Sequence, residues 1–292
     1  MSAHTPLSEL LKSYASQPLD SRKRWYSPAA LAYLQTRPRY PQDLIDQVVA
    51  QTQLQASSTV LEIGCGPGTA TQALAPLGCA LEALEPNADF FQLAQEVCRP
   101  YPKVRLHNVA LEEWAVTPAA YDVVVAASSF HWLPPDLAQR TIPTALRPGG
   151  WLVLLWNQKL EPTWDVYQSL APIYQALAPA LDRYVSLEEQ LQTLDDLANV
   201  DWQLECFGPW QRDHRHCQTI YTSAQYVTLL STYSPYLQLE DNQRQSLFAA
   251  IRDQVDQQWG GEITLDSISA VHMAQKVTEE SGAPVASDSV EP

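Results

Sequence analysis

The segment Glu62-Ile63-Gly64-Cys65-Gly66-Pro67-Gly68-Thr69 sets three glycines at alternate positions behind an acid. Glycine permits a tight turn and leaves no Cβ between a ligand and the peptide backbone. A helix opening directly after it would add unpaired N–H groups at the same place. Such a turn, between a strand and a helix, suits a nucleotide. Glu85, in Leu84-Glu85-Pro86-Asn87, follows the loop by about twenty residues, where an acid accepts hydrogen bonds from both ribose hydroxyls. The dinucleotide fingerprint has its third glycine three residues after the second. Here Gly68 comes two residues after Gly66, Thr69 holds the dinucleotide position, and Glu62 precedes Gly64 by two.

Other reactive types are sparse. Cys65, Cys79, Cys98, Cys206 and Cys217 are odd in number and show no metal-ligand spacing, so a disulfide framework is not expected and a reducing compartment fits. His214-x-His216-Cys217 alternates like a strand face with no further ligand nearby, and no metal is expected. Arg22-Lys23-Arg24 is the only short basic run and reads as a solvated helix end.

The elements that must position these residues follow from periodicity. The 292-residue chain is 46% hydrophobic, enough for a sizeable core. Its 33 acids outnumber its 18 Lys and Arg, for a net charge of -15. That surface repels phosphate backbones, so a nucleic-acid partner is not expected. No apolar run reaches membrane-spanning length and no signal segment opens the chain, so neither a membrane partner nor export is expected and the cytoplasm is. The two prolines of Arg37-Pro38-Arg39-Tyr40-Pro41 force an extended segment. Leu44, Ile45, Val48 and Val49 then share a helix face. Strands are expected at Val60–Ile63, Cys79–Leu84, Val104–Leu106, Tyr121–Ala127 and Trp151–Trp156. Helices alternate with them, one over Ala70–Leu77 ended by Gly78, one capped by Asn87, and one after Pro135 split or kinked by Pro143. Continuous apolar strands alternating with helices imply an α/β fold with a doubly wound, mostly parallel sheet covered on both faces. Residues 160–200 read as helical and 201–220 as strands. Two amphipathic helices follow, one through Tyr226, Leu229, Leu230 and Tyr233, the other through Leu247, Phe248, Ile251 and Val255. Ile263–Met273 reads as a closing strand. No internal repeat is present, and nothing fixes an oligomeric state.

The glycine loop resembles the first motif of class I S-adenosylmethionine-dependent methyltransferases. Leu84-Glu85-Pro86-Asn87 is similar to their acidic second-strand motif, Tyr121-Asp122-Val123-Val124 to the start of their fourth strand, and Leu146 to Leu152 to the turn before their fifth. Arg37-Pro38-Arg39-Tyr40-Pro41, Glu112-Glu113-Trp114, Phe130-His131-Trp132-Leu133, Tyr221 to Leu230 and Gly260-Gly261 resemble a subgroup similar to trans-aconitate methyltransferase. The resemblance implies a Rossmann-like core over 59–158 that binds S-adenosylmethionine, with substrate-side helices and closing strands over 159–276; residues 1–58 read as a helical lead-in, and 277–292, with Glu, Ser, Pro and Asp and little to bury, as a disordered tail. It implies cofactor contacts from Glu62, Gly64, Cys65, Gly66, Gly68, Glu85, Pro86 and Ala127, and from Arg37 toward the methionine carboxylate, the other reading of Arg37 being a surface charge. Many relatives carry Asp or Ser where Val109 stands, so adenine recognition falls to Ala110, Leu111 or Glu112. The implied reaction is in-line methyl transfer to a small molecule, a carboxylate among the candidates, in which the enzyme supplies mainly alignment. A hydroxyl or amine acceptor would need a base, and His131 is the candidate; it and Trp132 read equally as wall residues. Lys159, Arg183, Arg212 and Arg215 are the cations that could hold an anion. Two other classes remain open: an NAD(P)-dependent oxidoreductase, and a non-catalytic S-adenosylmethionine-binding regulatory module.

Overall fold

The computed structural model describes residues 15–199 and 204–277. Its first part is helical: α1 (Leu19–Arg24), α2 (Ala30–Thr36) and α3 (Gln42–Thr52). Leu44, Ile45 and Val48 are buried, as the α3 periodicity requires. Then come β1 (Thr59–Ile63), α4 (Thr69–Leu74), β2 (Ala80–Leu84), α5 (Ala88–Cys98), β3 (Val104–His107), β4 (Tyr121–Ala127), α6 (Pro135–Ala145) and β5 (Leu146–Asn157). The second part holds β6 (Glu161–Pro162), α7 (Trp164–Leu177), α8 (Leu187–Asn199), β7 (Gln211–Thr222), α9 (Ser223–Leu230), α10 (Ser234–Leu237), α11 (Asp241–Gln258) and β8 (Glu262–Gln275).

All eight strands form one sheet, ordered β3-β2-β1-β4-β5-β8-β6, with β7 also on β8. The pairs among β1 to β5 are parallel, and β8 runs antiparallel to β5, β6 and β7. From β1 the chain winds out through β2 and β3, then returns to β4 on the other side. That reversal opens a crevice at the C-terminal ends of β1 and β4, where open α/β sheets take ligands. Side chains of one strand feed two cores. Val123 and Val125 pack with α3, α4 and α5, while Val124 and Ala126 pack with α6 and α8. Both faces are covered, so these strands are apolar throughout. A third core joins α7, α9 and α11 to the start of β8 through Leu170, Leu229, Ile251 and Leu265.

Several sequence expectations change. Pro143 does not split its helix: α6 runs from Pro135 to Ala145 with the proline in its last turn, where few residues follow that a kink could redirect. The turn Pro148-Gly149-Gly150 lies inside β5, as an irregularity between the pairs Tyr121↔Leu146 and Val123↔Trp151. A Cβ on Gly150 would stand 3.0 Å from the carbonyl oxygens of Asp122 and Arg147, so a side chain there would press on both. Residues 160–200 are not wholly helical: Glu161–Pro162 pairs with Asp266 and Leu265, at an edge where proline is tolerated. Tyr233 lies beyond α9, whose last residue is Leu230. Between 204 and 220 one strand begins, at Gln211. The expected tail lies outside the described residues, apart from Val277.

Candidate functional site

The three glycines of the loop all take positive φ, at +67° for Gly64, +58° for Gly66 and +89° for Gly68, but for different reasons. A Cβ on Gly64 would lie 2.8 Å from the Ser129 Cβ, so glycine lets the end of β4 close against the loop. A Cβ on Gly66 would meet no atom within 4 Å; it would project into open space. A Cβ on Gly68 would stand 3.3 Å from Cys98 Sγ, so this glycine seats α4 against α5.

That open space is a cavity of about 260 Å³ at the sheet's switch point. Gly64, Cys65, Gly66 and Pro67 form one wall, and Glu85, Pro86 and Asn87 the next. Val109, Ala110, Leu111 and Glu112 form a third, and Ala127, His131 and Trp132 a fourth. Arg37 closes a corner. Glu62 and Gly68 are not on the surface of the cavity; they sit behind it. Glu62 is fully buried and accepts a hydrogen bond from Thr71 Oγ1 at 2.6 Å, while its Oε1 has no partner. Burial pushes its pKa up to about 8, with Thr71 opposing and the charge of Glu85 adding to the rise.

Glu85 is 5% exposed, and its carboxylate is held by backbone alone. Gly66 N donates to Oε2 and Asn87 N to Oε1, each at 2.7 Å. Each carboxylate oxygen keeps a lone pair for a further donor. Burial raises its pKa to about 7 against these two bonds. Asn87 caps α5, accepting from Asp89 N and Phe90 N at 2.9 and 3.0 Å. A buried carboxylate beside a side-chain-free turn fits an adenosine ligand, whose sugar brings donors and whose body needs the room that Gly66 leaves open.

The remaining wall shows what motif reading missed. Arg22 is no solvated helix end: it pairs with Glu112 and donates to the Trp132 carbonyl at 2.8 Å. Lys23 likewise reaches Glu113 at 2.8 Å. These bonds and the Trp25–Trp132 contact, 5.9 Å between ring centroids, strap the segment from α1 to α2 across the cavity. Tyr33, Tyr40, Ser128, Ser129, Asn157 and Gln158 also line it. Ser128 has φ +54°, a strained value for a non-glycine residue, and its Oγ lies 3.1 Å from the Tyr40 hydroxyl. No pattern announces it, because the strain comes from the sheet end meeting the segment after α2. Arg37 donates to Thr232 Oγ1 and to the Thr232 carbonyl at 2.8 and 2.9 Å, with its guanidinium carbon 4.1 Å from the Tyr233 ring centre. It is thus no free surface charge.

His131 stacks near Trp132 and Trp156, at 5.5 and 6.0 Å. Burial lowers its pKa to about 4. The imidazole is neutral at pH 7, but so weak an acid–base pair is far from the value that favours general-base catalysis. His214 and His216 lie on β7, and the His216 ring reaches Asp266 at 2.6 Å. Among the described residues no group of three His, Cys, Asp or Glu could hold a metal ion, and no helix is long and apolar enough to cross a membrane.

Comparison with known proteins agrees with this geometry. Residues 33–233 match the family model described as a methyltransferase domain. An uncharacterised methyltransferase of Mycobacterium tuberculosis is 29% identical over 177 residues, 61% of this chain and 69% of the relative. The trans-aconitate 2-methyltransferase of Afipia carboxidovorans is 27% identical over 155 residues, 52% of this chain and 57% of that protein. A solved structure assigned as a type II methyltransferase from Anaeromyxobacter dehalogenans shares the fold with a TM-score of 0.57 at 18% identity, covering 82% of this chain and 97% of that one. With a family match over more than half its length, the chain belongs to the class I S-adenosylmethionine-dependent methyltransferases, and S-adenosylmethionine is its cofactor.

Proposed function

We propose that the enzyme methylates a small molecule bound beside the cavity, and that a carboxylate oxygen is the acceptor atom. The observation that carries this is the setting of His131, the base candidate in the cavity wall: its ring is packed near Trp132 and Trp156, and burial lowers its pKa. A carboxylate is already deprotonated at pH 7 and needs no base, so the site lacks nothing for it. The likeness to the trans-aconitate 2-methyltransferase points the same way. In this reading residues 59–158 hold the cofactor, and 159–276 build the acceptor side of the same domain. Glu85 takes the ribose hydroxyls, and the backbone of Gly64, Cys65 and Gly66 faces the rest of the nucleoside. Ala110 and Leu111 flank the adenine, and Glu112 is fixed by Arg22. Arg37 faces the methionine carboxylate, and Pro86 and Ala127 complete the wall. Glu62 and Gly68 support the turn from behind. The bound cofactor supplies a methyl group on a sulfonium; the chain supplies alignment and exclusion of water. The acidic surface, net charge -15, disfavours a nucleic-acid acceptor.

Isothermal titration with S-adenosylmethionine, S-adenosylhomocysteine and NADH tests the cofactor part. Binding of both sulfur nucleosides and not of NADH is expected; the reverse would establish an oxidoreductase. Methyl release is then screened over small carboxylic acids, amines and alcohols. Turnover confined to amines or alcohols would sink the carboxylate assignment, and silence throughout would favour a non-catalytic module.

A further inference from the structure

Just past the cavity wall, the chain places two opposite charges that do not meet. Asn157 and Gln158 line the cavity; Lys159 follows at once, and Glu161 stands two residues on, in β6. The charges of the two side chains act on each other across that short span. Neither side chain makes a hydrogen bond or an ion pair among the described residues. Lys159 reaches solvent, yet its surroundings desolvate it enough to pull its pKa down; Glu161 is partly buried, and burial pushes its pKa up. Lys159 thus keeps donors to spare at the solvent edge, and the partly buried Glu161 keeps acceptors to spare. Glu161 is also faced by Arg183 and Glu189, which pair with each other at 3.8 Å and so cancel.

The surroundings tie this pair to the cavity. The Tyr233 ring is shared by the Arg37 guanidinium, 4.1 Å from its centre, and by Lys159 Nζ, at 5.5 Å. Arg37 lines the cavity, so one ring bridges cavity and charge pair. The Tyr233 hydroxyl accepts from Leu160 N at 3.0 Å, which fixes the ring and leaves its own proton to donate. On the outer side Trp164, Tyr167 and Tyr184 form a ring trio with centroids 5.0 to 5.6 Å apart, and Trp164 is 51% exposed. The trio gives an incoming molecule an apolar wall. Two cations on the cavity side favour an anion there, while the lone carboxylate favours a donor.

We propose that Lys159 and Glu161 are the specificity-determining residues of the acceptor site, and that the acceptor is a small acid bearing a hydroxyl or ammonium substituent. Lys159 holds the acid's anionic group and Glu161 accepts from the substituent. This deepens the reading under Proposed function and rests on it.

Succinate, malate and aspartate share one skeleton and differ by a hydrogen, a hydroxyl and an ammonium. Their binding to the full chain saturated with S-adenosylhomocysteine is measured by calorimetry for wild type, Lys159→Met and Glu161→Leu. Wild type is expected to bind malate or aspartate at least tenfold more tightly than succinate, and which of the two identifies the substituent. Lys159→Met is expected to weaken all three at least tenfold, and Glu161→Leu to bring the preferred acid down to succinate. S-adenosylhomocysteine affinity should stay within twofold, and Glu161→Leu should not melt below wild type, since its side chain makes no hydrogen bond or ion pair among the described residues; Lys159→Met gives up the contact of its ammonium with the Tyr233 ring, so at most a small drop in Tm is expected there. No acid binding to the loaded protein, or unchanged discrimination in Glu161→Leu, overturns the assignment while the cofactor site stands. A tenfold loss of S-adenosylhomocysteine affinity in Lys159→Met would move that residue to the cofactor and overturn it equally. Failure of wild type to bind S-adenosylhomocysteine at all would instead remove the methyltransferase reading beneath it.

Discussion

Glu85 and Glu161 are both enclosed carboxylates, and the chain houses them in opposite ways. Glu85 receives two backbone N–H groups at 2.7 Å, one from the glycine loop and one from the start of α5. Glu161 receives none, and looks across at a lysine it does not touch. The first arrangement is built by backbone over some twenty residues of a β-α-β unit and is ready before any ligand arrives. The second draws on Arg37, Lys159, Arg183 and Tyr233, remote in sequence, and stays unfinished until something enters. A fold shared across a family preorganises the common cofactor and leaves side chains to choose the acceptor.

The contrast breaks most visibly at the glycines. Gly64→Ala adds a strained φ and a 2.8 Å clash with Ser129, so a loss of about 3 kcal/mol or more is expected in chemical denaturation, with cofactor binding lost as well. Gly260, between α11 and β8, has φ +66° but nothing within 4 Å of a Cβ, so Gly260→Ala should cost only about 1 kcal/mol. Equal costs would mean that Gly64 is a turn residue like any other. Next in size, Glu85→Ala should weaken S-adenosylhomocysteine binding about tenfold or more by calorimetry, since ribose acceptors go and two backbone donors are left unpaired. Unchanged affinity would take Glu85 out of the site.

A further effect is read by pH, and enclosed carboxylates on both sides of the comparison contribute to it. The Glu62 carboxyl, raised by burial to about 8, holds in the folded chain a proton that the unfolded chain releases near 4.5. Its contribution to stability is therefore full below pH 4.5 and is lost as pH rises toward 8. Glu85, raised to about 7, acts in the same direction. The ligand-free protein should lose about 3 kcal/mol or more between pH 5 and 8, and Glu62→Gln should flatten that slope. Denaturation curves at several pH values measure it; a slope unchanged by the substitution would show that Glu62 stays ionised.

Legibility followed the same division. The strands, α3, the Asn87 cap and the glycine turn announce themselves because each rests on local periodicity or on a residue type with one conformational use. Most residues expected at the cofactor line one cavity for that reason. Glu62 and Gly68 belong to the same motif but face away, one toward Thr71 and the other toward Cys98, and no spacing separates a wall residue from the one behind it. Arg22 was misread because an arginine at a helix end looks solvated until Glu112, 90 residues on, is brought to it. Ser128 and β6 were invisible for a related reason: a strained φ and a two-residue edge strand are imposed by tertiary neighbours.

The smallest expected effect falls on His131, which is on the cavity wall and is the sequence's candidate base. Removing a true general base costs about 10²- to 10⁴-fold in kcat. The His131 ring is instead packed near Trp132 and Trp156, and burial holds its pKa near 4, where it accepts a proton poorly. His131→Gln keeps a polar side chain in that position, so kcat for a carboxylate acceptor should fall less than about tenfold. The pH profile of kcat should show no ionisation that disappears with the substitution. A loss of a hundredfold or more, rescued at high pH, would restore His131 as the base. It would also mean that the acceptor carries a proton to be removed, and with that the acceptor side would be tuned for a hydroxyl or amine rather than for an acid.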